Sequence, residues 1–232
     1  DKITIHAVEE FLRAGYDLDA AAILLCESDG STEEVADEIE RINVIMKESG
    51  ATKVSLSRDE AERLSFWAGR KSAFPAAGRV SPDYYCMDGT IPRKHLADVL
   101  SGIEKLSEEY GLLCMNVFHA GDGNLHPLIL YDANIPGELE RTEEFGGKIL
   151  EMCIHAGGTI TGEHGVGMEK INQMCTQFRT NELAMFHAVK AAFDPEGLLN
   201  PGKAVPTLRR CAELSAMHVH SGDEKFPELP RF

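Results

Sequence analysis

Apolar positions along this chain recur with two periods, one near 3.6 residues and one near 2, and their order lays out the secondary structure. The opening stretch, IHAVEEFLRAG, has helical spacing. Residues 20–26 (AAAILLC) form a short apolar run that predicts a buried strand. SDGSTEE follows, placing Ser31 as the N-cap and Glu33 and Glu34 in the first turn of a helix that continues over 35–47. Residues 52–56 predict a strand, 59–71 a helix, 75–82 a loop and 84–87 a strand. Pro92 suits a first helical turn, and that helix runs to about Tyr110. Apolar runs at 112–119 and 125–131 flank the tetrapeptide GDGN. A helix opening at Pro136 ends at Ala156-Gly157-Gly158, followed by a short strand over 159–161 and the glycine-rich GEHGVG. Two more helices fall near 168–177 and 180–192, and the tail from Asp194 reads as irregular.

Hairpins mixed with crossover helices predict an α+β fold. Its expected form is ferredoxin-like split βαβ units, with an antiparallel sheet flanked by helices and a helical segment at the C-terminal end. No linker, repeat or low-complexity stretch divides the 232 residues. The formal net charge of −15 disfavours a nucleic-acid backbone as partner. No apolar run approaches the ~20 residues of a membrane span. Six cysteines form no CxxC pair, and several sit in apolar runs, which predicts reduced, buried thiols in a cytoplasmic protein. The first residue is Asp1 and the chain opens directly into a helical pattern, so it reads as a piece of a longer protein.

Candidate chemistry begins in NVFHAGDGNLH, residues 116–126. Asp122-Gly123 between apolar runs signals a two-residue hairpin turn. In that register His119 opposes His126, with Cβ atoms about 4.5–5.5 Å apart. Two imidazoles at such a separation can share a metal ion, or can merely stack. A third ligand is needed. TGEHGVG offers Glu163 as a carboxylate, and beside it His164, an imidazole able to take a proton. The same loop could also be an exposed glycine turn. It is not a dinucleotide fingerprint, because its glycines run GxxGxG. His218 and His220 form an HxH pair near the C-terminus.

Taken together, HAGDGNLHP, TGEHGVG, FDPEGLLNPGK and DYYCMDGTIPR resemble the C-terminal region of FAD-linked oxidases of the vanillyl-alcohol-oxidase type. Within it the chain is similar to the 2-hydroxy-acid oxidases, the branch of glycolate oxidase and D-lactate dehydrogenase. The resemblance implies a cap-type substrate domain over 1–232, including a flavin-contacting segment at about 194–232, with the FAD-binding domain outside the chain. It implies FAD as cofactor and a divalent metal (Zn, Mn or Fe) on His119, His126 and Glu163. It further implies His164 as catalytic base, Arg70 in FWAGRKSAF as the grip on the substrate carboxylate, and Asn200 in LNPGK near the flavin. Cys86 and Leu128 stand where relatives acting on dicarboxylates are expected to carry lysine and asparagine, which implies a short monocarboxylate such as glycolate or D-lactate. Implied partners are other oxidase subunits, one of them an iron–sulfur subunit, at the inner face of the membrane without a span. As this fragment alone, the chain is expected to be inactive. Two other classes fit the same residues: a flavin-independent metallohydrolase, and a non-catalytic assembly module.

Overall fold

The structure, a computed structural model, describes residues 1–206. Its centre is a three-stranded antiparallel sheet in the order β1-β3-β2, with β1 over Asp83–Cys86, β2 over Cys114–Asn116 and β3 over Pro127–Tyr131. Because β1 and β2 both run antiparallel to β3, they are parallel to each other with β3 between them. Helix α5 (Leu96–Tyr110) makes the crossover from β1 to β2, so one split βαβ unit is present, as the pattern predicts.

Side-chain alternation sends the two faces of this sheet into different cores. Ile129 and Cys114 point with Tyr85 toward α5 and α6 (Glu138–His155), packing on Ile103, Phe145 and Ile149. Leu128, Leu130, Met115 and Val117 point the other way, toward α1 (Lys2–Leu12) and α4 (Ala73–Val80). Asp1 accepts the Thr4 N–H as the α1 N-cap, and its second oxygen accepts the Asn116 N–H at 2.9 Å, fastening α1 to β2. A third cluster, with Met87, Leu150, Ile160, Met174 and Leu183, seats α7 (Ile171–Gln177) and α8 (Thr180–Phe193).

Three expectations are corrected. Residues 75–82 are not a loop: α4 covers most of them, with Pro75 in its first turn, where the missing N–H has no intrahelical acceptor to lose. The runs at 20–26 and 52–56 join no ladder among the described residues. Their Ile23, Leu24, Val54 and Leu56 stay exposed, and α2 (Thr32–Glu48) between them buries no side chain, so this β-α-β pattern lacks the packing that makes a strand. Residues 159–161 supply a single bridge rather than a strand. The expectation of reduced, buried thiols holds for Cys114 and Cys153, while Cys26 is free but exposed and Cys175 is disulfide-bonded.

Candidate metal and substrate site

The histidine hairpin folds, but in a different register. The β2–β3 pairs Cys114↔Ile129 and Asn116↔Pro127 continue to a bridge between His119 and Asn124. The loop therefore holds four residues, Ala120 to Gly123, closed by the N–H groups of Asp122 and Gly123 on the His119 carbonyl. His126 lies across from Val117, whose N–H it receives on its carbonyl at 3.3 Å. The slip from the predicted register is two residues. An even slip preserves the face, so His119 and His126 remain on one side of the sheet as diagonal neighbours. Their rings sit 5.4 Å apart, centroid to centroid.

Thr90 brings the glycine-rich loop to this hairpin. It bridges Asn124 on one side and Thr159 on the other. Its N–H and carbonyl both bond to Thr159, and the two hydroxyls meet at 2.7 Å. The approach needs Gly158, where a Cβ would lie 1.8 Å from the Thr90 carbonyl oxygen. Gly162 packs in the same way against the Asn124 side chain. The segment then turns under Asp88, whose Oδ2 accepts the N–H groups of Glu163 (2.9 Å) and His164 (2.5 Å).

The outcome is a convergent donor set. One ligand atom each from His119, His126 and Glu163 fall within 4.8 Å of one another. Glu163 Oε1 lies 2.8 Å from His126 Nε2 and 3.9 Å from His119 Nε2. His126 is 2% exposed, and neither of its ring nitrogens has a hydrogen bond, although Glu163 Oε1 lies 2.8 Å from Nε2. A buried polar atom left unpaired is costly. Two nitrogens and a carboxylate oxygen aimed at a common point are the chemistry of a divalent-cation site, so the residues fit a metal.

Electrostatics agree. Burial lowers the His126 pKa below its ordinary value; the Glu163 charge opposes this, and His164, His119 and Arg70 add to it. The imidazole is thereby held neutral, the form a metal needs. His164 stands just outside the three. Its ring stacks on that of His126 at 5.0 Å and 21°, and its Nε2 is 3.7 Å from Glu163 Oε1. Arg70, half-buried near the end of α3 (Glu60–Lys71), feels both Glu163 and His126. Burial draws its pKa down, with Glu163 the main opposing charge. Phe74 of α4 closes the other side with its ring edge-on to His126 at 6.5 Å.

Cys86 and Leu128 are directly paired across β1 and β3, on the face that carries His126. Leu128 is fully buried, so that floor is apolar. Asn200 is not brought into the cluster. It is exposed with φ +46°, and its carbonyl accepts the Lys203 N–H. Four residues on, Ala204 returns to the loop by bonding the Gly167 carbonyl at 2.8 Å. His218 and His220 lie outside the described residues. Sequence reasoning missed Asp88, Thr90, Asn124, Thr161 and Lys170. None stands in a spacing that announces a role, and their partners are as many as 82 residues away.

Among the described residues no helix is long and apolar enough to cross a membrane. The family model "FAD linked oxidases, C-terminal domain" matches residues 1–204. The chain is 65% identical over its whole length to glycolate oxidase subunit GlcD of Escherichia coli, covering 46% of that protein. It is 37% identical over 203 residues to glycolate oxidase subunit GlcD of Bacillus subtilis, which is 88% of the chain and 43% of the relative. Against the mitochondrial D-lactate dehydrogenase [cytochrome] of Arabidopsis thaliana it is 27% identical over 208 residues, which is 89% of the chain and 36% of the relative. The chain thus spans about half the length, or less, of these relatives.

Proposed function

The chain belongs to the FAD-linked oxidases, matching their C-terminal domain, and on that premise we propose that it is the substrate- and metal-holding part of an enzyme oxidising a short 2-hydroxy acid. The observation that carries the metal reading is the convergence of His119, His126 and Glu163 around a buried imidazole without a hydrogen bond. These three residues would hold a divalent ion, which when bound supplies a Lewis acid that makes an α-hydroxyl easier to deprotonate. FAD, held mainly by the part of the protein outside this chain, would take up the hydride.

The chain's own residues then divide the remaining work. Arg70, whose charge couples to Glu163 and His126, carries a guanidinium suited to gripping a carboxylate through two parallel hydrogen bonds. His164, stacked beside His126 and outside the ligand triangle, takes the hydroxyl proton on a ring nitrogen. The apolar Cys86–Leu128 floor offers no partner for a second carboxylate, which favours glycolate or D-lactate over a dicarboxylate. Asn200 would meet the flavin edge. The word subunit in the name of the 65% identical relative supports assembly with other oxidase subunits; an iron–sulfur subunit among them, and a place at the inner face of a membrane, rest on the family resemblance alone.

The test uses the full-length protein. Metal content, flavin reduction and turnover are measured with glycolate, D-lactate and a 2-hydroxydicarboxylate, for wild type, His126→Ala, His164→Ala and Arg70→Met. His126→Ala is expected to lose metal, and His164→Ala to keep metal and lose turnover. Arg70→Met is expected to raise KM. Full metal retention by His126→Ala would refute the ligand set, and turnover without flavin reduction would favour a hydrolase.

A further inference from the structure

Asp88 and Lys170 are the most deeply buried charged side chains of the described chain, 0% and 2% exposed. They pair directly, Lys170 Nζ with Asp88 Oδ1. Removing two charges from water is costly even when they are paired, so such a pair is a weak device for stability alone. Its placement points elsewhere. The pairs Cys86↔Leu128 and Thr90↔Asn124 bracket Asp88 and set it across from His126. While Oδ1 meets Lys170, Oδ2 accepts three donors from the one loop: the N–H groups of Glu163 and His164, and the Thr161 hydroxyl at 3.2 Å. Thr161 Oγ1 in turn accepts the Gly165 N–H at 2.9 Å and lies 3.4 Å from Lys170 Nζ. Successive N–H groups turned onto one carboxylate form a nest, here filled by the protein's own side chain.

We propose that the Asp88–Lys170 pair is the positioning element of the site, holding the backbone of residues 161–165 so that the Glu163 carboxylate and the His164 imidazole stay against the histidine hairpin. Neither residue contributes an atom to the metal-facing set. Both side chains on the loop are about half exposed, Glu163 52% and His164 44%, so packing alone does not hold them. Lys170 fixes the carboxylate, and the carboxylate fixes the loop. The proposal rests on the metal reading only for what the loop is positioned to do; the tether itself is a property of the chain.

Two readouts separate these levels: amide hydrogen exchange of residues 161–165, which needs no metal, and titration with zinc alone, checked by the cobalt(II) absorption spectrum. Asp88→Asn/Lys170→Met removes both charges but keeps an acceptor for the loop. With the acceptor kept but no longer held by Lys170, it is expected to fall between wild type and the next variant, with exchange at Glu163 and His164 a few-fold faster and zinc affinity lower by about threefold. Asp88→Leu/Lys170→Met removes the acceptor. Exchange at those two amides is expected to rise at least about tenfold while Ile129 and Phe145 stay protected. Zinc affinity should fall about 10–100-fold, as for other partners that orient metal ligands, with a changed cobalt spectrum. Unchanged protection and affinity in this variant would overturn the proposal. So would a rise in exchange shared equally by the core, the mark of a merely structural pair. Should this variant not fold, Lys170→Gln decides, since it keeps a polar partner near Asp88 Oδ1 but removes the charge that fixes the carboxylate. Faster exchange at Glu163 and His164 with weaker zinc binding supports the tether, and no change in either overturns it. If the wild-type chain shows the exchange pattern but takes up no zinc, the metal reading fails and the tether stands.

Discussion

Gly121 and Gly123 sit two residues apart in the hairpin loop, and the structure predicts opposite responses to the same added methyl group. Gly123 has φ +73°, and a Cβ there would lie 2.1 Å from the Ile91 carbonyl oxygen. The left-handed conformation costs a residue with a Cβ about 1–2 kcal/mol. Forcing a methyl into packed backbone adds about 1–3 kcal/mol. The sum for Gly123→Ala is about 2–5 kcal/mol. The clash also has nowhere to relax, because the Gly123 carbonyl accepts the Ile91 N–H at 2.9 Å. At Gly121 a Cβ meets nothing within 4 Å and φ lies outside the left-handed range, so Gly121→Ala is expected to be neutral or to stabilise by up to about 1 kcal/mol through the unfolded state. Urea unfolding followed by circular dichroism reads both variants. Because Gly123 adjoins the His119–Asn124 bridge, zinc uptake by folded Gly123→Ala should weaken as well. Equal midpoints for the two variants, or a larger loss at Gly121, would refute the four-residue loop and with it the corrected register.

Three further outcomes follow from burial. Phe145 is fully buried and stacked on Tyr110 at 5.4 Å, so Phe145→Ala should cost about 3–5 kcal/mol in the same unfolding assay; a loss below about 1 kcal/mol would contradict the core placement. Burial pushes the Cys86 and Cys153 thiols up to about 12 and raises Cys114 further. Among the four free thiols of the described chain, iodoacetamide at pH 8 should therefore modify exposed Cys26 first, as mass spectrometry of native and denatured samples would show. His126 is depressed by burial below the ordinary imidazole value of about 6.5. On acidification the unfolded chain therefore takes the proton first. The stability contribution of His126 is full above about pH 6.5 and is lost as pH falls toward the folded value. In metal-free buffer, His126→Phe should flatten the fall in unfolding free energy between about pH 7 and 5; an unaltered slope would refute the burial.

Helices were readable where periodicity and capping agree. Ser31 caps α2 with the reciprocal Glu34 bonds of a capping box, although α2 buries nothing, so the signal there is purely local. The reverse holds for residues 20–26 and 52–56. Their apolar pattern is that of strands, yet a strand exists only when a neighbour satisfies its backbone, and the pattern does not say which neighbour. Pro75 misled for a related reason: proline marks a break inside a helix but not in its first turn, and only the observed start at Ala73 tells the two apart.

The candidate site divides along the same line. That His119 and His126 lie on facing strands of one hairpin was legible in the sequence, because Asp-Gly between apolar runs makes a hairpin; that the slip in register is even, and so keeps both on one face, only the structure decided. That Glu163 and His164 belong with them was suggested by a family likeness rather than by spacing. Only the tertiary structure decided it, through Thr90 bridging to both Asn124 and Thr159 and through Gly158 permitting the close approach. Asp88 and Lys170, 82 residues apart in the chain, were beyond sequence reasoning altogether. A buried ion pair leaves no period in the apolar pattern. Its partners are chosen by how α6 and α7 pack beyond the sheet, and that choice depends on the whole core rather than on any neighbouring residue.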